Sequence, residues 1–411
     1  MVVDDNDTIL GVNRMYNFNN IINRRGTNCV KWDKNKSIFG KEDIVSMWIA
    51  DMDFEVSPFI IEEMQKVLDT KVFGYQYASH KYYEAIIDWM NRRHDYKIEK
   101  EWICYVPNVV AGLAYSVQAV SDVGDEIIIQ TPVYGPFFDV IKNNGRKIIE
   151  CEMKNDDGHY TMDLEAFESM ITPKTKATIL CNPHNPCGRV WTKEELNEFA
   201  RICIKHNLYI ISDDIHSELI YKDYKHTVIA TLSKEVEDRC IICTSPGKAF
   251  NLASIHVANC IIKNEELRNR FVKPMVNTHL IGDDNFGGNA FAEAAIVGAY
   301  DKSEKWLDDL TEYLEENMDY FVNYIKDNIP KLKVVKPEGT YLVWIDCSEL
   351  NMSKEELSKF LVEKCNIATN DGNFFGSNYG SYIRMNLACP KSQIITALEK
   401  IKEQIDLLNI K

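Results

Sequence analysis

Residues 239–254, RCIICTSPGKAFNLAS, place a lysine in an unusual setting. The first part of this stretch is an apolar run of the kind that forms a strand covered on both faces. A Ser-Pro-Gly turn follows at once, and Lys248 stands in that turn. Lysine is almost never fully buried unless it is paired. A lysine at the end of a buried strand therefore needs an explanation beyond solubility.

Three other apolar runs precede this one, and each ends in polar residues. They are DEIIIQTP, KATILCNP and NLYIISDD, at 125–132, 176–183 and 207–214. Helical patterns lie between the runs, and 192–207 shows a capping threonine, acidic residues and apolar side chains at helical spacing. The alternation predicts βαβ units and an α/β fold with a mainly parallel sheet.

The length of 411 residues predicts two domains, because single cores stop growing at roughly 250–300 residues. The pattern changes at 303–330, which reads as one long amphipathic helix ended by proline. Strands are predicted at 339–347 and 381–390, with helices at 353–366 and at the C-terminus. We expect an N-terminal arm with part of the small domain at 1–47, a large domain at 48–290 and a small C-terminal domain at 291–411.

The overall charge and hydropathy exclude two classes of partner. The formal net charge is −15 and no dense Lys/Arg cluster occurs, so we expect no nucleic-acid partner. The N-terminus, MVVDDNDTIL, lacks the features of a secretory signal, and no apolar run approaches the length that crosses a bilayer. We therefore expect no membrane partner and a cytoplasmic location.

The twelve cysteines are scattered through a large chain, which favours reduced thiols over a disulfide framework. Cys240 and Cys243 form a C-x-x-C pattern within a predicted strand. Residues three apart on a strand point to opposite faces, and no second pair stands at zinc-ribbon spacing. The pattern favours packing, and we expect no metal site.

In open α/β sheets ligands bind beyond the carboxyl ends of the strands. Directly after the four runs stand Tyr134, Asn185, Asp213 and Lys248, with Asp214 expected to face the surface. Singly, the first three suit a packing aromatic, a turn residue and a helix N-cap. Together the four supply an aromatic face, an amide, a carboxylate and an amine around one crevice. Pyridoxal 5′-phosphate needs this combination, because its aldehyde forms a Schiff base with lysine and its protonated ring nitrogen requires a carboxylate.

The phosphate of that cofactor would require N–H groups at a helix start and nearby hydroxyls. The segment 107–116, PNVVAGLAYS, opens a predicted helix and offers Val109 and Val110. Ser245 adds a hydroxyl beside the lysine turn. These residues are the candidates for phosphate binding.

Seven segments, which run from residue 24 to residue 390, resemble a known family. They are RRGTNCVKWD (24–33), MWIADMDF (47–54), FGYQY (73–77), CNPHNPCGRVW (181–191), SDDIHSELIY (212–221), SPGKAFNLAS (245–254) and IRMNLACP (383–390). The chain resembles the fold-type I pyridoxal-phosphate enzymes of the aminotransferase class I/II superfamily, and within it the MalY/PatB branch of cystathionine β-lyases and cysteine-conjugate C-S lyases. The resemblance implies a large cofactor-binding domain, whose mainly parallel seven-stranded sheet lies between helices, and a smaller α+β domain.

The resemblance also implies roles for matching residues. Lys248 would form the Schiff base, Asp213 would contact the pyridine nitrogen, and Tyr134 would stack on the ring. Asn185 would lie at the ring hydroxyl and near the substrate. Arg384 would bind the substrate carboxylate, for which its planar fork is suited. As a surface arginine at a strand end it would have no such role.

Four further positions leave alternatives open. Tyr75 would reach the phosphate of the neighbouring subunit's cofactor in a homodimer, or it is an aromatic residue near a turn. His216 would lie at the ring's hydroxyl edge or at the rim. His256 stands where many relatives have a phosphate-binding arginine, which shifts phosphate binding to backbone amides and Ser245. Cys187 stands where threonine is common, and a small helix-start residue is favoured over a catalytic thiol.

The implied reaction is β-elimination. Lys248 would remove the α-proton of an amino acid, and a thiolate with an ordinary pKa of roughly 8.5 would leave the β-carbon readily. The products from L-cystathionine or another cysteine S-conjugate would be a thiol, pyruvate and ammonia. An aminotransferase is the alternative, because the same site could pass nitrogen to a 2-oxo acid. A regulatory protein that keeps the fold and acts through a protein partner is the alternative of another class.

Overall fold

The computed structural model describes residues 14–282 and 287–408. Residues 1–13, 283–286 and 409–411 lie outside the described residues. Each of these ranges belongs to one of the three predicted regions. The strands are β1 Val45–Ser46, β2 Ile103–Val106, β3 Glu126–Thr131, β4 Lys147–Glu152, β5 Lys154–Asp156, β6 His159–Thr161, β7 Thr175–Cys181, β8 Tyr209–Asp213, β9 Cys240–Thr244, β10 Ala258–Ile261, β11 Lys333–Val334, β12 Leu342–Asp346, β13 Ile367–Ala368, β14 Asn370–Asp371 and β15 Tyr382–Asn386.

Helices alternate with these strands through much of the chain. They are α1 Val30–Asp33, α2 Asn35–Phe39, α3 Pro58–Thr70, α4 His80–His94, α5 Val109–Val120, α6 Pro136–Asn143, α7 Leu164–Ser169, α8 Lys193–Lys205, α9 Lys234–Glu237, α10 Pro246–Ala249, α11 Glu265–Asn277, α12 Ala290–Lys302, α13 Glu304–Asn328, α14 Lys354–Lys359 and α15 Lys391–Leu408. A π-helical turn, Phe360–Cys365, continues α14.

The central sheet has seven strands in the order β2-β10-β9-β8-β7-β3-β4. All neighbours pair in parallel except β10, which runs antiparallel to both β2 and β9. The four runs predicted from the sequence are β3, β7, β8 and β9 in the middle of this sheet. Their apolar residues are buried because helices cover both faces. The α/β fold with a mainly parallel seven-stranded sheet is therefore confirmed.

The helix predicted at 192–207 is α8, and its start follows from the sequence. The Thr192 hydroxyl accepts from the Glu195 N–H at 3.2 Å, and the Glu195 carboxylate accepts from the Thr192 N–H at 2.8 Å. This reciprocal capping satisfies two N–H groups that a helix start leaves free. The helix predicted at 303–330 is α13, which buries one face along its length.

A second sheet, β11-β12-β15-β14, is antiparallel and lies in the C-terminal part of the chain. The strands predicted at 339–347 and 381–390 are β12 and β15 of this sheet. Near the start of the described chain, β1 pairs in parallel with β13, with Val45 opposite Ile367. The early residues therefore lie against the C-terminal part, although the boundaries at 47/48 and 290/291 stay a prediction.

Within residues 14–282 and 287–408, no helix combines the length and the apolar character needed to cross a membrane. A cytoplasmic location remains a prediction from the sequence.

Candidate active site

The carboxyl ends of β3, β7, β8 and β9 meet at a cavity of about 170 Å³. Tyr134, Asn185, Asp213 and Lys248, which follow or end these four strands, all line it. Because the strands are parallel neighbours, the residues after them converge on one edge of the sheet. The structure thus brings together the four residues that the strand ends singled out.

Lys248 lies in α10, the one-turn helix that follows β9. The Ser245 hydroxyl caps this turn by accepting from the Gly247 N–H at 2.9 Å. The amine of Lys248 donates to the carbonyl oxygen of Ala50 at 2.5 Å. Burial, and next the positive charge of Arg384, lower the pKa of Lys248 to about 8. An amine with this pKa is substantially unprotonated near neutral to mildly basic pH and can act as a nucleophile or base.

Asp213 ends β8, opposite Cys181 of β7 and Cys243 of β9. Its side chain is 3% exposed, and its Oδ1 accepts from the Ile215 N–H at 3.2 Å. Burial raises the pKa of Asp213 to about 7. A cationic ligand group in the cavity would therefore stabilise the charged form of this buried carboxylate.

Asp214 was expected to face the surface, and that prediction was wrong. Its side chain is 1% exposed, accepts from the Ser212 hydroxyl, and contacts Nε2 of His226 at 3.1 Å. Glu218 is held in the same way, with its Oε1 2.7 Å from Nε2 of His94. Alternation along a strand sends Asp214 away from the cavity, but that side of the sheet is covered by other elements rather than by solvent.

These contacts fix the segment 213–218, whose opposite side carries the candidate site residues Asp213 and His216. Within 213–218, Asp213 and His216 line the cavity, while Asp214 and Glu218 are each bound by a buried histidine. The rings of His94 and His226 meet edge to face at 5.4 Å. Trp89 Nε1 also donates to Glu218 at 2.8 Å. We call the two pairs His94–Glu218 and His226–Asp214 the clamp. The clamp fixes the segment on the side that faces away from the cavity.

His216 is buried, and its Nδ1 has no hydrogen-bond partner among the described residues. Burial, together with the charges of Lys248 and Arg384, keeps the pKa of His216 well below its usual range. The imidazole is therefore neutral at ordinary pH and free to exchange a hydrogen bond with a ligand. The structure places it in the cavity wall rather than at the rim.

The other end of the cavity is formed by the start of α5. Asn108 caps this helix by accepting from the Ala111 N–H at 2.9 Å, and Val109 and Val110 line the cavity. The first N–H groups of a helix have no intrahelical partner and attract anions. Ser245 also lines the cavity, but its hydroxyl donates to the Val257 carbonyl at 2.8 Å. Its hydroxyl proton is already engaged.

Arg384, in β15 of the second sheet, is 3% exposed and does not line the cavity, but it contacts Asn185, which does. Its Nη1 donates to Oδ1 of Asn185 at 3.1 Å, and its Nη2 donates to Oδ1 of Asn370 at 2.5 Å and to the Trp48 carbonyl at 3.0 Å. Its Nε has no partner among the described residues. Burial lowers the pKa of Arg384 to about 10, so the guanidinium remains charged at neutral pH.

The strap, defined as residues 48–53, was not singled out residue by residue from the sequence. Its Trp48 and Ala50 carbonyls accept from Arg384 and Lys248, as described above. Asn386 Nδ2 donates to the carbonyls of Ile49 and Asp51 at 2.5 and 2.6 Å. The sequence signal was the segment MWIADMDF, which contributed only to the family resemblance. Backbone carbonyls leave no residue-type pattern by which they could be found.

Three further positions, like Arg384, are not among the residues that line this cavity. Tyr75 is fully exposed and lies in an irregular segment before α4. His256 has a left-handed backbone with φ of 57°, and its carbonyl accepts from the Tyr105 hydroxyl at 3.0 Å. Cys187 does not line the cavity, and burial raises the pKa of its thiol to about 12. A thiol with this pKa is protonated and unreactive at neutral pH.

Comparisons with known proteins match most of the chain. The model of the aminotransferase class I and II family matches residues 42–401. Cystathionine beta-lyase PatB of Bacillus subtilis is 37% identical over 94% of this chain and 99% of its own length. Protein MalY of Escherichia coli is 30% identical over 92% of this chain and 96% of its own length.

Among solved structures, cystalysin from Treponema denticola, which contains a pyridoxal 5′-phosphate cofactor, matches with a TM-score of 0.91. It is 36% identical, and the match covers 96% of this chain and 100% of that one. The chain belongs to the aminotransferase class I and II family.

Proposed function

We propose that this chain is a pyridoxal-phosphate-dependent carbon-sulfur β-lyase, which cleaves L-cystathionine or related cysteine S-conjugates to a thiol, pyruvate and ammonia. The similarity to a cystathionine beta-lyase over nearly its whole length supports the reaction class. The observation that carries the proposal is the pair of Lys248 and Asp213 in one cavity, with pKa values shifted to about 8 and about 7. These shifts suit an amine that acts as a base and a carboxyl group whose charged form is stabilised when a cationic group, such as a protonated ring nitrogen, binds beside it.

The cavity residues fit the cofactor part by part. Asp213 supplies a buried carboxylate for the pyridine nitrogen, and Lys248 supplies the amine that binds the aldehyde. Asn185 and the unpartnered Nδ1 of His216 suit the polar edge of the ring. Tyr134 supplies an aromatic face. The phosphate suits the N–H groups at the start of α5, with Val109, Val110 and the loop around Ser245 lining that end.

This chain's residues would bind and deprotonate the substrate. Arg384 and Asn185 hold its carboxylate, and the fork of the guanidinium sets its orientation. The amine of Lys248, once free, removes the α-proton as general base. When bound, the cofactor supplies the electron sink that accepts the electron pair left at the α-carbon. A thiolate then leaves from the β-carbon, and the weak basicity of thiolates favours this step. Water hydrolyses the remaining three-carbon aminoacrylate, which gives pyruvate and ammonia.

We further propose a homodimer in which Tyr75 reaches the partner's site. The segment around it exposes large apolar side chains: Val72 is 74% exposed, Phe73 62% and Tyr77 79%. An exposed apolar cluster of this kind suits a protein–protein interface. Tyr75, which is fully exposed, would then be covered by the second copy and supply a hydroxyl to its phosphate site.

An aminotransferase is the second candidate, because the same cavity could return a proton to the cofactor and transfer nitrogen to a 2-oxo acid. Relatives named aspartate aminotransferase occur at lower identity, for example 27% over 88% of this chain. A regulatory protein without catalysis is the third candidate, and the shifted pKa values of Lys248 and Asp213 argue against it.

The test is pyruvate release from L-cystathionine by the purified protein with added cofactor and no 2-oxo acid. Sustained release that requires Lys248 supports β-elimination. Release only when a 2-oxo acid is added, with a new amino acid formed, would instead identify an aminotransferase. A colourless protein that does not bind the cofactor would favour the regulatory function.

A further inference from the structure

The guanidinium of Arg384 is buried among neutral acceptors. Its three hydrogen bonds go to the amide oxygens of Asn185 and Asn370 and to the Trp48 carbonyl. Within residues 14–282 and 287–408 no carboxylate forms a salt bridge with it. The ring of Phe375 lies 5.0 Å from the guanidinium carbon and compensates in part, but a buried charge without a counterion is costly, so Arg384 favours an anionic ligand.

Asn370 reaches Arg384 because of strand register. In the antiparallel pair β14–β15, Asn370 lies directly opposite Arg384. Side chains opposite each other across two strands lie on one face and are close neighbours. Neither Asn370 nor Arg384 lines the cavity, but the guanidinium contacts Asn185, which does, so the effect of Asn370 on a ligand would pass through Arg384.

The next residue in β14, Asp371, has a carboxylate, but this carboxylate does not contact Arg384. Asp371 follows Asn370, and adjacent residues of a strand point to opposite faces. The carboxylate of Asp371 accepts from the Asn373 N–H at 2.8 Å and lies 3.5 Å from the amine of Lys354. The strand therefore turns its amide toward Arg384 and its carboxylate toward other partners.

We propose that Asn370 is a positioning residue which holds Arg384 through a neutral amide, so that the guanidinium keeps its positive charge for one carboxylate of the ligand. The proposal rests on the proposed role of Arg384 in carboxylate binding. An amide and a carboxylate have nearly the same shape, and both accept a hydrogen bond from the guanidinium. The difference between them at position 370 is therefore charge rather than geometry.

Because of this difference in charge, the two variants Asn370→Asp and Asn370→Ala should weaken ligand binding in an order that a purely structural role would not produce. Asn370→Asp keeps the acceptor and strengthens the contact with Arg384, but it neutralises the charge offered to the ligand. Asn370→Ala removes the contact and leaves the charge. If Asn370 served only to hold the strands together, alanine would be the more harmful change. If it preserves the charge of Arg384, aspartate is the more harmful change for carboxylate ligands.

The experiment titrates the cofactor-loaded protein and both variants with L-alanine by calorimetry, and with ethylamine as the analogue without a carboxylate. Asn370→Asp should weaken L-alanine binding by roughly tenfold to a hundredfold, the range expected for losing a charge-assisted contact. Asn370→Ala should weaken it less, and neither variant should change ethylamine binding. Asn378→Asp is the control, because it adds the same charge on an exposed side chain eight residues away and should leave L-alanine binding unchanged.

Kinetics with L-cystathionine separate this proposal from the proposed reaction. Asn370→Asp should raise KM by a similar factor while kcat stays within about threefold, since the contact exists before and during the reaction. Wild-type protein that releases no pyruvate, but binds L-alanine in an Asn370-dependent manner, would overturn the reaction and support this inference. Release of pyruvate with an unchanged KM in Asn370→Asp, or a larger loss in Asn370→Ala than in Asn370→Asp, would overturn this inference and leave the reaction standing.

Discussion

The amine of Lys248 lies 2.5 Å from the carbonyl oxygen of Ala50 in the strap. The same oxygen accepts from the Tyr341 hydroxyl at 3.0 Å. One backbone carbonyl thus holds a side chain from the end of the central sheet and another from just before β12 of the second sheet. The amine is kept inside the cavity by this contact, and a ligand that binds the amine replaces one hydrogen bond rather than ordering a free side chain.

Replacement of the lysine should abolish the proposed reaction. Lys248→Ala should reduce pyruvate release by roughly 10³-fold or more, because it removes both the covalent link and the general base. The visible absorbance of the bound cofactor should change as well. Lys205→Ala is the control, since this lysine pairs with Glu168 at the surface. Full activity in Lys248→Ala would contradict the assignment.

Asp213 should make the cofactor-free protein less stable at basic pH. Its folded-state pKa of about 7 exceeds the ordinary value of 3.8, so the folded state disfavours the charged carboxylate. The resulting loss of stability is complete above about pH 7 and disappears as pH falls toward 3.8. Asp213→Asn should therefore raise the free energy of unfolding at pH 8 by on the order of 4 kcal/mol, since the pKa differs by about three units and each unit is worth about 1.4 kcal/mol.

Urea unfolding of cofactor-free protein at pH 8, 6 and 4.5 measures this effect. The advantage of Asp213→Asn should shrink at each step toward low pH. In the cofactor-loaded protein the order should reverse, because the variant lacks the carboxylate that pairs with the ring nitrogen. An advantage that is equal at all three pH values would show that the charge of Asp213 is not its cause.

The clamp should contribute most to stability at mildly acidic pH. Although burial opposes both charged forms, the carboxylate of Glu218 raises the pKa of His94 above 6.5, and His94 lowers the pKa of Glu218 to about 2. The histidine contribution is complete below pH 6.5 and is lost as pH rises through its raised pKa. The carboxylate contribution is complete above pH 4.5 and is lost as pH falls toward 2.

Glu218→Gln should therefore lower the free energy of unfolding by about 3–5 kcal/mol between pH 4.5 and 6.5, the range for breaking a buried pair. The loss should be smaller at pH 9. Glu168→Gln is the control, because Glu168 pairs with Lys205 and His206 at the surface and its loss should change the free energy of unfolding far less. Equal losses in the free energy of unfolding in the two variants would show that burial of the His94–Glu218 pair does not increase its contribution.

Tyr75 permits a test of the proposed dimer by complementation. Tyr75→Ala and Lys248→Ala should each lose most activity when expressed alone. When the two are unfolded and refolded together in equal amounts, half of the dimers are mixed, and each mixed dimer contains one site with both native residues. The mixture should recover about a quarter of wild-type activity. No recovery above the sum of the two variants would place Tyr75 in its own subunit's site or outside any site.

The sequence predicted the central sheet and the meeting of its strand ends because both depend on local patterns. Continuous apolar runs marked β3, β7, β8 and β9, and the polar residues after them were forced to one edge by parallel pairing. The surroundings of Arg384 could not be predicted in this way. Asn370 lies 14 residues from Arg384 and Asn185 lies 199 residues away, and no periodicity records such pairings.

The wrong prediction for Asp214 has a physical reason too. Alternation correctly sends it to the opposite side from Asp213, but it does not say what covers that side. His226 and the other pair of the clamp, His94–Glu218, cover it. Ser245 shows a related limit, since the sequence identifies a hydroxyl near the lysine but not that Val257 already accepts its proton.

The strap also determines when the site can first exist during synthesis. Its contact from Trp48 to Arg384 spans 336 residues, and that from Asn386 to Ile49 spans 337. A ribosome-bound chain that lacks β15 has the central strands and the contacts from Lys248 and Asn251 to the strap, but it lacks the contacts from Arg384 and Asn386. Completion of the cavity therefore waits for nearly the last strand to emerge, and a chain stalled before that point would leave Lys248 without the finished enclosure that lowers its basicity.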